Sequence, residues 1–173
     1  MAKYIPDMYK RSITDINYGR LKELGIKCLI FDLDNTIALI DEKNISTSTE
    51  RLFKRLRKEF SIVIVSNNFQ KRISSFCDPI GTPYISFAMK PLGFCFKKVM
   101  KDNNLKKEEM CIIGDQLMTD ILGGNRFGIY TVLVDPIAKK DLKITSVNRI
   151  LEKNKIKKLT KMKILERGKY YGT

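Results

Sequence analysis

The chain has 173 residues, 43% of them hydrophobic, and a net charge of +14 from 33 basic and 19 acidic residues. That is enough for one domain with a sizeable core, and the basic excess favours an anionic partner. Histidine is absent, which excludes the usual general base, Ser-His-Asp and Cys-His nucleophile systems and His-ligated metals.

No apolar run approaches the roughly 20 residues needed to span a bilayer. Residues 1–7 lack the apolar segment of a signal peptide, so a cytoplasmic location is expected. Cys28, Cys77, Cys95 and Cys111 are too dispersed for a zinc knuckle or a thioredoxin motif and read as buried thiols in a reducing compartment.

In chain order, residues 1–26 form a lead-in. Ile13, Ile16, Leu21, Leu24 and Ile26 have partly helical spacing, and Gly25 closes a short helix. A continuous apolar run over 27–31 predicts a strand buried on both faces. Residues 37–44 look irregular, after which 46–50 offer helix N-caps and Leu52, Phe53, Leu56 and Phe60 a helical face. A second strand is predicted over 61–65, then a helix over 70–76 with Pro79 and Gly81 as breakers. Further strands follow at 84–87, 110–113 and 130–134, with helices over 94–103 and from 118 to about 123. This alternation predicts an α/β fold with an open parallel sheet. Residues 137–173 carry 12 basic and 3 acidic residues, a net of +9. A broken apolar face there predicts one or two basic helices.

Function in open parallel sheets gathers beyond the C-terminal ends of the strands. Here those ends carry Asp32-Leu33-Asp34-Asn35-Thr36, Ser66-Asn67-Asn68, Lys90-Pro91 and Gly114-Asp115, with Asp120 five residues on. Acids without histidine suit a hard cation such as Mg²⁺, and a lysine beside a serine suits a phosphoryl group. One carboxylate could serve as a nucleophile in aspartyl-phosphate chemistry, with its neighbour two residues on supplying the leaving group's proton.

These residues, in this order, resemble the four motifs of the haloacid dehalogenase (HAD) superfamily of phosphohydrolases. The Ile30–Thr36 and Gly114–Asn125 stretches, with Asp15-Ile16-Asn17 and residues 21–27, resemble its YqeG-type members of subfamily IIIA. The resemblance implies a three-layer α/β/α Rossmann-like fold and an Mg²⁺-dependent phosphatase. It implies that Asp32 is the nucleophile and a metal ligand, and that Asp34 is the general acid/base, binding the metal through its carbonyl. By the same comparison Thr36 braces the turn, Ser66 and Lys90 hold phosphoryl oxygens with Asn67 nearby, and Asp115 completes the protein's metal ligands. Asp120 is implied to support the site, orienting either metal waters or Lys90.

The superfamily inserts its cap domains at two places, spaced here by 34 residues (Asp32 to Ser66) and 24 residues (Ser66 to Lys90). Each interval holds about one helix and its connections, so a capless, open site is expected. YqeG-type proteins are similar to phosphatidylglycerophosphate phosphatases, which makes that lipid the leading substrate. Residues 137–173 are then expected to touch an anionic membrane peripherally, beside a catalytic domain over 1–136. A phosphoprotein or nucleic-acid end is the alternative substrate. A nucleic-acid or ribosome-associated binding protein is the alternative class, disfavoured because RNA-binding aromatic motifs are absent. Finally, Cys28 and Cys111 each lie four residues before a metal-binding aspartate, which predicts that the two thiols share one face of the sheet.

Overall fold

Six parallel strands run β1 (Met8–Lys10), β2 (Cys28–Phe31), β3 (Ser61–Val65), β4 (Tyr84–Ile85), β5 (Met110–Gly114) and β6 (Tyr130–Val134), with spatial order β1-β6-β5-β2-β3-β4. The computed structural model describes residues 2–40, 42, 44–138 and 146–172, the side chains of 146–150 excepted. The first part of the basic segment, 139–145, therefore lies outside the described residues.

Alternation along the central strands sorts two apolar layers. Leu29, Phe31, Ile62, Ile64, Cys111 and Ile113 face one side. There they meet α1 (Tyr18–Glu23), α2 (Thr47–Leu56) and α3 (Gln70–Cys77). Cys28, Ile30, Val63, Val65, Met110 and Ile112 face the other, against α4 (Phe94–Asp102) and α5 (Leu122–Phe127). The fold is thus a three-layer α/β/α sandwich, as the sequence predicts.

The helices form where sequence supplies both a face and a cap. In α2 the buried positions Thr49, Leu52, Phe53 and Leu56 recur at helical spacing, and the Ser46 hydroxyl accepts the Thr49 N–H at 3.2 Å. Gly124 of α5 lets helix and sheet approach closely, since a Cβ there would lie 2.5 Å from Ile112 Cγ2 and 2.6 Å from Thr131 Cγ2. α6 (Ser146–Lys161) lies at the far edge, where Leu159 and Leu165 are buried with Tyr9, Leu117, Ile121 and Leu133. No helix among the described residues is long and apolar enough to cross a membrane.

Four expectations need correction. The lead-in contains a strand: Met8–Lys10 pairs in parallel with β6, Met8 opposite Val132. The strand expected over 84–87 stops at Ile85, because Phe87 takes a positive φ of 47°. The helix expected from 118 begins as a π-helical turn, Leu117–Ile121, before α5. The thiols lie on opposite faces, because β2 and β5 pair with Cys28 opposite Met110 and Leu29 opposite Cys111. In that register Phe31 stands opposite Ile113, so Asp115 lies one residue farther along its strand than Asp32 does on β2. A one-residue offset reverses the face.

Candidate active site

At the C-terminal edge, neighbouring strands present Asp115, Asp32, Ser66 and Lys90 in spatial order, from β5, β2, β3 and the segment after β4. All four are buried. Tight backbone turns carry them there. After β2, Asn35 sits in the left-handed region at φ 63°, a conformation asparagine tolerates better than most residues. Ile37 N–H then closes back on the Leu33 carbonyl at 3.0 Å. Before Lys90, Phe87 and Met89 both have positive φ, 47° and 50°.

Lys90 is the centre of the cluster. Its Nζ donates to Asp32 Oδ1 at 2.5 Å, to Asp120 Oδ1 at 2.7 Å and to the Val65 carbonyl at 3.2 Å. Those three acceptors match the three donors of an ammonium group. Burial alone would lower its pKa, but the carboxylates of Asp120 and Asp32 outweigh it and raise it. Burial pushes Asp32 well above the usual carboxylate range. Lys90 opposes that shift, while Asp120 and Asp115 add to it.

Three carboxylates, Asp32, Asp115 and Asp120, bring one oxygen each to within 4.8 Å of one another. Thr36 Oγ1 donates to Asp115 Oδ1 at 3.2 Å. Asp120 also accepts the Gln116 N–H through Oδ2 at 3.1 Å. Its side chain packs where any side chain on residue 114 would stand: a Cβ at Gly114 would come within 2.3 Å of Asp120 Cγ and Oδ2. The glycine before Asp115 is what admits Asp120 to the site.

The other expected residues fall into two groups. Asn67 braces Lys90 rather than facing the cluster: its Oδ1 accepts the Lys90 N–H at 2.9 Å and its Nδ2 donates to the Lys90 carbonyl at 3.1 Å. Ser66 Oγ accepts the Asn68 N–H at 3.1 Å. Asp34 is half-buried and engages two partners that the sequence reading did not single out. Arg72 donates to its Oδ1 from Nε at 3.2 Å and Nη2 at 3.1 Å, and Asn68 Nδ2 to its Oδ2 at 3.2 Å. The same guanidinium reaches the Leu39 carbonyl at 3.0 Å and the Glu42 carbonyl at 2.5 Å. Asn68 was visible in the Ser-Asn-Asn run, whereas an arginine on an amphipathic helix carries no such signal.

Two family models match this chain: one described as mitochondrial PGP phosphatase over residues 2–74, the other as HAD-hydrolase-like over residues 87–140. The probable phosphatase YqeG of Bacillus subtilis is 40% identical over 151 residues, 87% of this chain and 88% of that protein. The chloroplastic phosphatidylglycerophosphate phosphatase 1 of Chlamydomonas reinhardtii is 25% identical over 77% of this chain, which spans 53% of that protein's length. Among solved structures, a HAD-family enzyme from Bacteroides thetaiotaomicron, in complex with magnesium and inorganic phosphate, superposes with a TM-score of 0.52 at 17% identity. That match covers 70% of this chain and 100% of the other.

Proposed function

Because the chain belongs to the HAD-like phosphatases, together with YqeG, we propose that it hydrolyses a lipid-borne phosphate monoester with Mg²⁺, through a phosphoryl group carried on Asp32. The observation that carries this reading is the buried meeting of Asp32, Asp115 and Asp120, the first and last of which also hold the Lys90 ammonium.

The site fits a divalent cation, since Asp32 and Asp115 each bring a carboxylate oxygen to within 4.8 Å of the other. Asp32, Asp115 and the Asp34 carbonyl would hold it, and it would neutralise charge on the phosphoryl oxygens. Asp120 keeps Lys90 in place. The chain's own residues divide the remaining work. An Asp32 carboxylate oxygen attacks phosphorus, the ester P–O bond breaks, and Asp34 gives its proton to the leaving alcohol oxygen. Asp34 then takes a proton from water, whose oxygen attacks the aspartyl phosphate and releases inorganic phosphate, restoring Asp32. Lys90 and Ser66 steady the phosphoryl oxygens, with the Lys90 backbone fixed by Asn67. Arg72 and Asn68 hold Asp34 in the resting geometry.

Three features support a lipid substrate: the match to a mitochondrial PGP phosphatase model, the chloroplastic relative named for phosphatidylglycerophosphate, and an edge over which the described residues place no cap domain. Phosphate release should be measured with phosphatidylglycerophosphate in mixed micelles, phosphopeptides, 5′-phosphorylated oligonucleotides and sugar phosphates. Mg²⁺-dependent turnover highest on the lipid is expected, while turnover confined to phosphopeptides or oligonucleotides would refute the lipid assignment. Metal binding has its own readout. Mg²⁺ should raise the thermal midpoint of the wild type, by the equivalent of about 2.7 kcal/mol at a hundredfold excess over Kd. Asp115→Asn should lose most of that rise; an undiminished rise would remove Asp115 from the ligand set.

A further inference from the structure

The loops that carry the site also carry an unusual set of exposed side chains. Phe69 is 64% exposed, Phe87 53%, Met89 54%, Leu92 64% and Phe94 60%. Leu39 and Ile137, from the loops after β2 and β6, add to the same edge. Large apolar groups standing singly on a surface are ordinary, but a cluster on one edge marks an interaction site.

The cluster and the site are interleaved residue by residue. In the run Phe87-Ala88-Met89-Lys90-Pro91-Leu92-Gly93-Phe94, Ala88, Lys90 and Gly93 are buried while Phe87, Met89, Leu92 and Phe94 project outward. Phe87 and Met89 do so from the left-handed region, at roughly 1–2 kcal/mol each for residues with a Cβ. The Phe69 and Phe87 rings meet edge to face, their centroids 5.3 Å apart, which joins the loops after β3 and β4 into one rim. Lys90 is the immediate neighbour of Met89 in this run, so the rim and the site share one loop.

We propose that this apolar rim is a membrane-docking face that seats on an anionic lipid bilayer and presents the site to headgroups. Charge complementarity argues for that occupant. Outside residues 137–173 the chain keeps a net charge of +5, and exposed Lys71 on α3, Lys97 on α4 and Arg126 on α5 stand on the helices beside the rim. Apolar tips that enter the acyl boundary, backed by cations at headgroup level, are how peripheral proteins lie on a bilayer. This assigns docking to the loops around the site and not to the basic segment 137–173. The inference rests on the lipid-phosphate reading only for its purpose, since docking is measurable without any monoester.

The chain has no tryptophan, so Leu92→Trp places a single reporter on the rim. With phosphatidylcholine vesicles carrying about one-third phosphatidylglycerol, its emission should shift to the blue, and the full-length chain should co-sediment. The triple variant Phe69→Ser/Leu92→Ser/Phe94→Ser should lose at least ~10-fold in vesicle binding, with its thermal midpoint and its turnover of a water-soluble aryl phosphate unchanged. High salt should weaken wild-type binding without abolishing it. Equal binding by wild type and triple variant, or an unshifted Leu92→Trp emission, would overturn the proposal. So would absence of vesicle binding combined with loss of phosphopeptide turnover in the triple variant, which would transfer the rim to a protein partner. Vesicle binding lost with the rim, but without hydrolysis of phosphatidylglycerophosphate, would uphold docking and refute the substrate.

Discussion

Lys90 holds two carboxylates that burial would otherwise make costly, and removing one member of such a group leaves the others uncompensated. Lys90→Met is expected to destabilise the protein by about 3–5 kcal/mol in denaturant titrations as well as to slow turnover; a variant as stable as wild type would contradict the geometry. Gly114→Ala tests the same cluster from below, because Asp120 cannot retreat from a new Cβ without releasing Lys90 or the Gln116 N–H. A loss of about 1–3 kcal/mol is expected. The thiols give a pH test. Burial pushes Cys28 and Cys95 up to about 11 and Cys77 to about 12, from an ordinary 9.0, and raises Cys111 as well. Folding therefore favours the protonated thiols, so stability should fall as pH rises above 9 toward those values. At pH 8 a thiol of pKa 11 is thiolate in about one molecule in a thousand. All four should resist iodoacetamide until the chain unfolds, and fast labelling of any one in the native state would contradict their burial.

At the scale of elements, β2, β3 and β5 were legible because each ends an apolar run in a polar turn, whereas β4 is only two residues long and half-buried. Register was not legible. The spacing of four residues before Asp32 and Asp115 looked like an alignment, yet β5 reaches one residue farther before it turns. Nothing local to either strand encodes that offset. β1 escaped for a related reason: three residues give too little alternation to read, and its partner β6 lies more than 100 residues away. Arg72 was invisible because an arginine on α3 reads as solvated until the loop at Leu39 and Glu42 folds over it. It ties α3 to that loop and to Asp34. Arg72→Lys should thus lower kcat more than it raises KM, since one ammonium group cannot replace the guanidinium fork on Asp34 while also reaching both carbonyls. An unchanged kcat would show that Asp34 needs no such support.

For the whole molecule, the basic segment is tied into the body. Arg167 reaches Asp135 at 3.1 Å while also pairing with Glu152 of its own segment at 2.7 Å, and Tyr171 exchanges backbone hydrogen bonds with Tyr9 at 3.0 Å along the outer edge of β1. Leu159 and Leu165 complete the apolar cluster around Tyr9 and Leu133. Deleting residues beyond Asp135 should cost more than about 3 kcal/mol through the uncovered apolar surface; a truncated chain with an unchanged thermal midpoint would contradict this packing. The central claim concerns what the assembled edge does: Asp32 takes the phosphoryl group. Acid-quenching the enzyme during turnover and mapping its peptides by mass spectrometry tests that most directly. A single phosphoryl group on Asp32, absent from an inactive Asp32→Asn variant, is the expected result. Full turnover by Asp32→Asn, with no phosphorylated peptide in the wild type, would contradict it.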